Sequence, residues 1–171
     1  PVAHSFPTRR SSDLGLIRAS YPKRNYDTIN LAYTGALDMG RGIDRILEMA
    51  AYLPSNFRVY FFGGKNHREI EKLRGLIHAG QLDANVEVTG WLPQGELQER
   101  LENMHLGLLP LKDNFFNRYL TAPSKFFDYL SCALPVLSSS LPALEELVSD
   151  KQLGMLVDWN RPDEVASDIV R

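Results

Sequence analysis

Leu106-Gly107-Leu108-Leu109-Pro110-Leu111 is the most continuous apolar run in the chain. Such a run suits a strand covered on both faces, the setting of a central strand in a parallel sheet. On the N-terminal side, short β-rich runs end in glycine turns: Leu31-Ala32-Tyr33 before Thr34-Gly35, residues 57–62 before Gly63-Gly64, and Val86-Glu87-Val88 before Thr89-Gly90. Between them apolar residues recur at helical spacing. Ile43, Ile46, Leu47, Ala50 and Leu53 form the first such stripe, stopped at Pro54. Ile70, Leu73 and Ile77 form a second, with Gly80 as the expected C-cap. Leu97, Leu101 and Met104 form a third, supported by Glu96 and Arg100 one turn apart.

On the C-terminal side a polar-aromatic loop, 112–123, precedes the stripe Phe126, Tyr129, Leu130 and Ala133. A strand at Pro135-Val136-Leu137 ends at Ser138-Ser139-Ser140, and a short helix is expected over 144–148. A strand at Met155-Leu156-Val157 and a helix opening at Pro162 complete the pattern. Six strands alternating with helices predict an α/β fold, a doubly wound parallel sheet with helices on both faces.

The chain has 171 residues, 44% hydrophobic and 23% charged, with a formal net charge of −2. That length fits one domain, and the slight acidity gives no footprint for nucleic acid or anionic lipid. No apolar run approaches the roughly 18 residues that span a bilayer. A lone cysteine, Cys132, excludes an internal disulfide and reads as a small core residue. The expectation is a soluble, cytoplasmic protein. Residues 4–14, His-Ser-Phe-Pro-Thr-Arg-Arg-Ser-Ser-Asp-Leu, resemble translated sequencing adapter. We therefore expect 1–14 to be an artefact standing in place of a missing N-terminal part, 15–29 to be a linker, and 30–171 to be the domain.

In doubly wound sheets ligands sit beyond the carboxyl ends of the strands, near the point where strand order reverses. The segments to search are 34–42, 63–66, 89–93, 112–125 and 138–141. Gly35-Ala-Leu-Asp-Met-Gly40-Arg41-Gly42 joins the first strand to its helix. Its glycines permit close backbone approach, and Arg41 supplies a bidentate donor suited to phosphate oxygens. The stretch is neither G-x-G-x-x-G nor a Walker loop, and a glycine-rich connector with a solvated arginine explains it equally well. Gly63-Gly64-Lys65-Asn66 has the same character.

In Pro123-Ser124-Lys125-Phe-Phe-Asp128-Tyr129, a helix beginning at Ser124 would turn its free N–H groups toward the sheet's carboxyl edge. Ser124 and Asp128 then share a face opposite Phe126 and Leu130, where a carboxylate can accept paired hydrogen bonds from vicinal hydroxyls. The competing reading is a surface ion pair between Lys125 and Asp128. Trp91 belongs either to the rim of a cleft or to the core. His67, His78 and His105 show no metal-binding spacing, so no metal site and no cofactor are expected.

Taken in order, these blocks resemble the C-terminal, nucleotide-sugar donor-binding domain of a GT-B glycosyltransferase of the retaining family four. The resemblance covers nearly all of residues 30–171. It rests on Tyr33-Thr-Gly35, Arg41-Gly42-Ile43-Asp44, Phe62-Gly63-Gly64, Val88-Thr-Gly90-Trp91 and Leu109-Pro110-Leu111. Its most specific part is Ala122-Pro-Ser-Lys-Phe-Phe-Asp-Tyr-Leu with Leu134-Pro-Val-Leu-Ser138, close to the family pattern Pro-x-Lys-x-x-Glu-Tyr then Gly-x-Pro-Val. The resemblance implies a Rossmann-like sheet and transfer of a sugar from a nucleotide donor, a UDP or GDP sugar, to an acceptor hydroxyl. It assigns Arg41 to the donor diphosphate, with Ser124 and Lys125 beside it. Asp128 goes to the ribose hydroxyls, and Gly35, Gly42, Gly63, Gly64 and Lys65 line the donor site.

The resemblance also implies a glycan or lipid-linked acceptor held by a missing domain, which would carry the acid/base residue. The membrane contact it allows is peripheral, and the branch with an Asn- and aromatic-rich loop builds bacterial surface polysaccharides. The pattern is broken at Ala36, where a second basic residue is usual, and at Leu120, where a glutamate is expected. Asp128 is one methylene shorter than the usual glutamate. A non-catalytic α/β ligand-binding or regulatory module, or a nucleotide-sugar epimerase, are the competing readings.

Overall fold

The computed structural model of the chain describes residues 26–114, 123–145, 147–148 and 152–171. Six parallel strands form one sheet in the order β3-β2-β1-β4-β5-β6. They are β1 (Ile29–Gly35), β2 (Phe57–Gly63), β3 (Val86–Gly90), β4 (Leu106–Leu109), β5 (Val136–Ser139) and β6 (Gly154–Val157). Helices alternate with them: α1 (Ile43–Ala50), α2 (His67–Ala79), α3 (Gln94–Glu102), α4 (Ser124–Ser131), α5 (Pro142–Glu145) and α6 (Pro162–Val170). A single 3-10 turn, Met39–Arg41, precedes α1. This is the expected Rossmann-like α/β fold, with strand order reversing between β1 and β4.

Strand alternation sends successive side chains to opposite faces, and the core divides accordingly. Leu31 and Tyr33 of β1 pack with Ile43, Ile46 and Met49 of α1, Leu73 and Ile77 of α2, and Val165 of α6. Ala32, on the other face, joins Leu101 of α3 and Phe126 and Tyr129 of α4. Each helix therefore buries the stripe its periodicity marked, and the sheet is covered on both sides.

Several boundaries differ from the sequence reading. Leu53, Met104 and Ala133 lie just past the ends of their helices, where tight turns carry them back into the sheet. Gly80 is the C-cap of α2, as expected, but with a right-handed φ of −82°; the positive φ of 57° falls on Gln81. Ser138 and Ser139 belong to β5 and are buried rather than forming the turn beyond it. Pro110 ends β4 at Leu109, since it cannot donate to the ladder. Most of the aromatic-rich loop, residues 115–122 with Leu120 among them, lies outside the described residues.

Candidate functional site

At the carboxyl edge of the sheet the segments after β1, β2, β3 and β4 converge with the first turn of α4. A cavity of about 410 Å³ is lined by Gly35, Arg41, Gly63, Gly64, Lys65, Ser124, Lys125 and Asp128. Eight of the nine residues singled out in the sequence thus meet in one place. The ninth, Gly42, stands behind it: with φ +78° it starts α1, and any Cβ there would run into the carbonyl of Pro110. A second cavity of about 470 Å³ adjoins the first and shares Arg41, Ser124 and Lys125 with it. Tyr33, Asp38, Pro110, Lys112 and Asn114 line this one.

The loop after β1 is built locally. Asp38 accepts a hydrogen bond from the Gly40 N–H at 2.9 Å, which caps the 3-10 turn and ends on Arg41. The Tyr33 hydroxyl donates to the carbonyl of Ala36 at 3.0 Å and pins the start of that loop. Gly63 takes φ +137°, and its missing side chain leaves room for the carbonyl of Gly35, which accepts the Gly64 N–H at 3.1 Å. The paired ends of β1 and β2 therefore lie in close backbone contact, a conformation that suits glycine alone. Asn66 caps α2 by accepting the Glu69 N–H at 3.0 Å, and Glu69 accepts the Lys65 N–H at 2.9 Å.

α4 begins at Ser124 as expected, directly under both cavities, with Pro123 at its N-cap. Its first-turn N–H groups and positive dipole end face the space beside Arg41. Lys125 does not pair with Asp128. Its Nζ stands 3.8 Å from the centre of the Tyr33 ring, a cation–π contact, and no carboxylate among the described residues meets it. Burial, with Arg41 adding repulsion, lowers the Lys125 ammonium to about 7. Partial burial raises the Asp128 carboxyl, and burial pushes the Tyr33 phenol up to about 12. The cluster forms an electropositive corner, with Arg41 and Lys125 beside the first turn of α4.

The opposite wall is apolar. Phe62, Leu92 and Leu97 line it, and Trp91 is 72% exposed at its rim, so of its two readings the cleft edge is the observed one. Sequence reasoning missed Tyr33, Asp38, Pro110, Lys112 and Asn114 as lining residues; the only signal was their nearness to strand ends. Cys132 is buried, as expected of a core residue. No helix of the described residues is long and apolar enough to cross a membrane.

A six-stranded sheet of this order with a basic cleft at its switch point is the C-terminal architecture of GT-B glycosyltransferases. The sequence profile described as "Glycosyl transferases group 1" matches residues 28–171, and the chain belongs to that family. No curated protein matches the sequence significantly.

Among solved structures, HepE of Anabaena, crystallised with UDP and glucose, is 15% identical with a TM-score of 0.69 over 95% of this chain and 42% of its own. WaaG, a glycosyltransferase involved in lipopolysaccharide biosynthesis, is 20% identical with a TM-score of 0.64, over 95% of this chain and 43% of its own. The C-terminal domain of LpcC, a glycosyl transferase group 1 family protein from Francisella tularensis, is 13% identical with a TM-score of 0.66, over 83% and 73%. The chain thus spans less than half the length of HepE and WaaG.

Proposed function

We propose that this chain binds the nucleoside diphosphate half of a sugar donor and forms the donor side of a transferase acting on an acceptor hydroxyl. The observation that carries the reading is the position of Arg41, Ser124 and Lys125 at the joint between the two cavities. A diphosphate placed at that joint meets a guanidinium, an ammonium and a helix N-terminus together. Charge that builds on the leaving diphosphate would be stabilised there by groups already in position. Asp128, on the wall of the 410 Å³ cavity, suits the two ribose hydroxyls, and the base would lie against Phe62 and Leu97 with Trp91 at the edge. The sugar would then occupy the 470 Å³ cavity, whose Asp38 and Asn114 offer polar partners.

The acceptor, and the acid/base residue that deprotonates it, belong in this reading to a second domain. The chain alone is then a binding unit without useful turnover, and transferase activity of the purified chain would contradict that. The involvement of WaaG in lipopolysaccharide biosynthesis supports a bacterial surface-glycan product.

Ligand-observed NMR with UDP, GDP and ADP tests the site directly. One diphosphate is expected to bind selectively. Arg41→Ala should weaken it by about 1.5–3 kcal/mol, the scale of a hydrogen bond to a charged group, or about 10- to 150-fold. Unchanged affinity would remove Arg41 from the site. Absence of binding by a folded chain would favour the non-catalytic module.

A further inference from the structure

The sheet is continuous across its switch point by very few pairs. β1 and β2 pair through seven residues, from Ile29↔Phe57 to Gly35↔Gly63, whereas β1 and β4 pair only at Leu31↔Leu106 and Ala32↔Gly107. Continuing that parallel register, the next rung would join the Thr34 N–H to the Leu108 carbonyl. A phenol stands between them instead. The Tyr129 hydroxyl accepts the Thr34 N–H at 3.0 Å and donates to the Leu108 carbonyl at 3.2 Å. Thr34 Oγ1 lies 3.4 Å from the same oxygen. Tyr129 is fully buried, and its ring lies against the bare Cα of Gly107, where a Cβ would collide with it.

We infer that Tyr129 is a positioning residue for the donor cleft: its hydroxyl replaces one rung of the sheet, holds β1 and β4 apart at the switch point, and ties both to α4. Three facts support this beyond the contact itself. The two cavities border the place where that rung is replaced: Tyr33, Leu109 and Pro110 line the larger, and Thr34 and Gly35 line the other. α4 carries Ser124, Lys125 and Asp128 on the helical turn before Tyr129, so the bond that spaces the strands also sets the height of those groups. Burial raises the phenol, which keeps its proton available for donation to Leu108. A direct Thr34–Leu108 bond would satisfy the same backbone groups without the spacer. The hydroxyl is therefore a specific choice of width rather than a rescue of orphaned polar atoms.

The inference rests on the nucleotide reading of the cleft, and the experiment separates the two. The full chain and Tyr129→Phe are titrated with UDP and GDP while their amide spectra are recorded. The variant is expected to keep a cooperative thermal transition, to shift the Thr34 amide resonance, and to bind the preferred diphosphate at least about tenfold more weakly. A folded variant that binds as tightly as the parent chain overturns the positioning role. If the parent chain binds neither nucleotide, the reading of the cleft fails instead, and a Thr34 amide unmoved by Tyr129→Phe would overturn the spacer on its own. Should the variant not fold, the parent spectrum decides: a hydroxyl proton from Tyr129 in slow exchange is required, and its absence refutes the rung.

Discussion

Calorimetric titration with UDP-glucose at pH 8, repeated in buffers of different ionisation enthalpy, is expected to show uptake of close to one proton per nucleotide bound. The proton goes to Lys125. In the free chain, burial first and Arg41 second hold this ammonium at about 7, so at pH 8 it is mostly neutral. A diphosphate beside it reverses the balance by placing negative charge where only positive charge stood. A sugar-esterified diphosphate has no group of its own titrating near neutrality, so the proton count belongs to the protein. Affinity should fall as pH rises from 7 to 9, by up to tenfold per pH unit, and Lys125→Met should abolish both the uptake and the slope. Binding without proton exchange at pH 8 would place the diphosphate away from Lys125.

The same residue makes a stability prediction of opposite sense. Its folded value lies below that of the unfolded chain, so the charged form is the disfavoured one in the fold. The penalty is fully present below about pH 7 and is relieved as pH rises toward 10.5. A displacement from 10.5 to about 7 corresponds to roughly 5 kcal/mol, and screening by the solvent that still reaches the side chain reduces this to about 2 kcal/mol. Lys125→Met should therefore melt higher than the parent at pH 6 and equally at pH 10.5, while binding the nucleotide poorly. A variant less stable than the parent at pH 6 would show that the cation–π contact with Tyr33 outweighs the desolvation.

Gly63→Ala is expected to cost about 4 kcal/mol or more. Two terms combine. At φ +137° a side chain is strained by about 1–3 kcal/mol wherever space exists. Here space does not exist, because the new Cβ would lie on the carbonyl of Gly35, and neither backbone can retreat without breaking the β1–β2 register. For a chain of this size that loss lowers the melting temperature by about 8–16 °C. Gly75→Ala is the matched control. Gly75 sits inside α2 with nothing within 4 Å of a new Cβ, so the change should stabilise by about 0.5–1 kcal/mol. Comparable melting temperatures for the two variants would refute the close backbone contact between Gly63 and Gly35.

The features legible in the sequence are those written in local periodicity. The 3.6-residue stripe of Ile43, Ile46 and Ala50 and the apolar run at Leu106 specify which face each element buries, because burial alone decides it. Ser124 could be placed at a helix start from Pro123 and the stripe that follows. The position of Lys125 could not. Spacing on α4 pairs it with Asp128, but the side chain runs instead to Tyr33, 92 positions away, and only the folded sheet brings them together. Tyr129 is the same case: its place in the apolar stripe signals core, while its hydroxyl acts on Thr34, 95 positions distant. Residues whose role lies in a bond across the sheet leave no periodic trace.

The two tryptophans occupy opposite environments, Trp91 72% exposed on the rim and Trp159 6% exposed among core residues beside α6. Their emission should separate, red-shifted for the first and blue-shifted for the second. One unlabelled sample would then report cleft occupancy and unfolding as two optical signals, without a dye or an engineered probe.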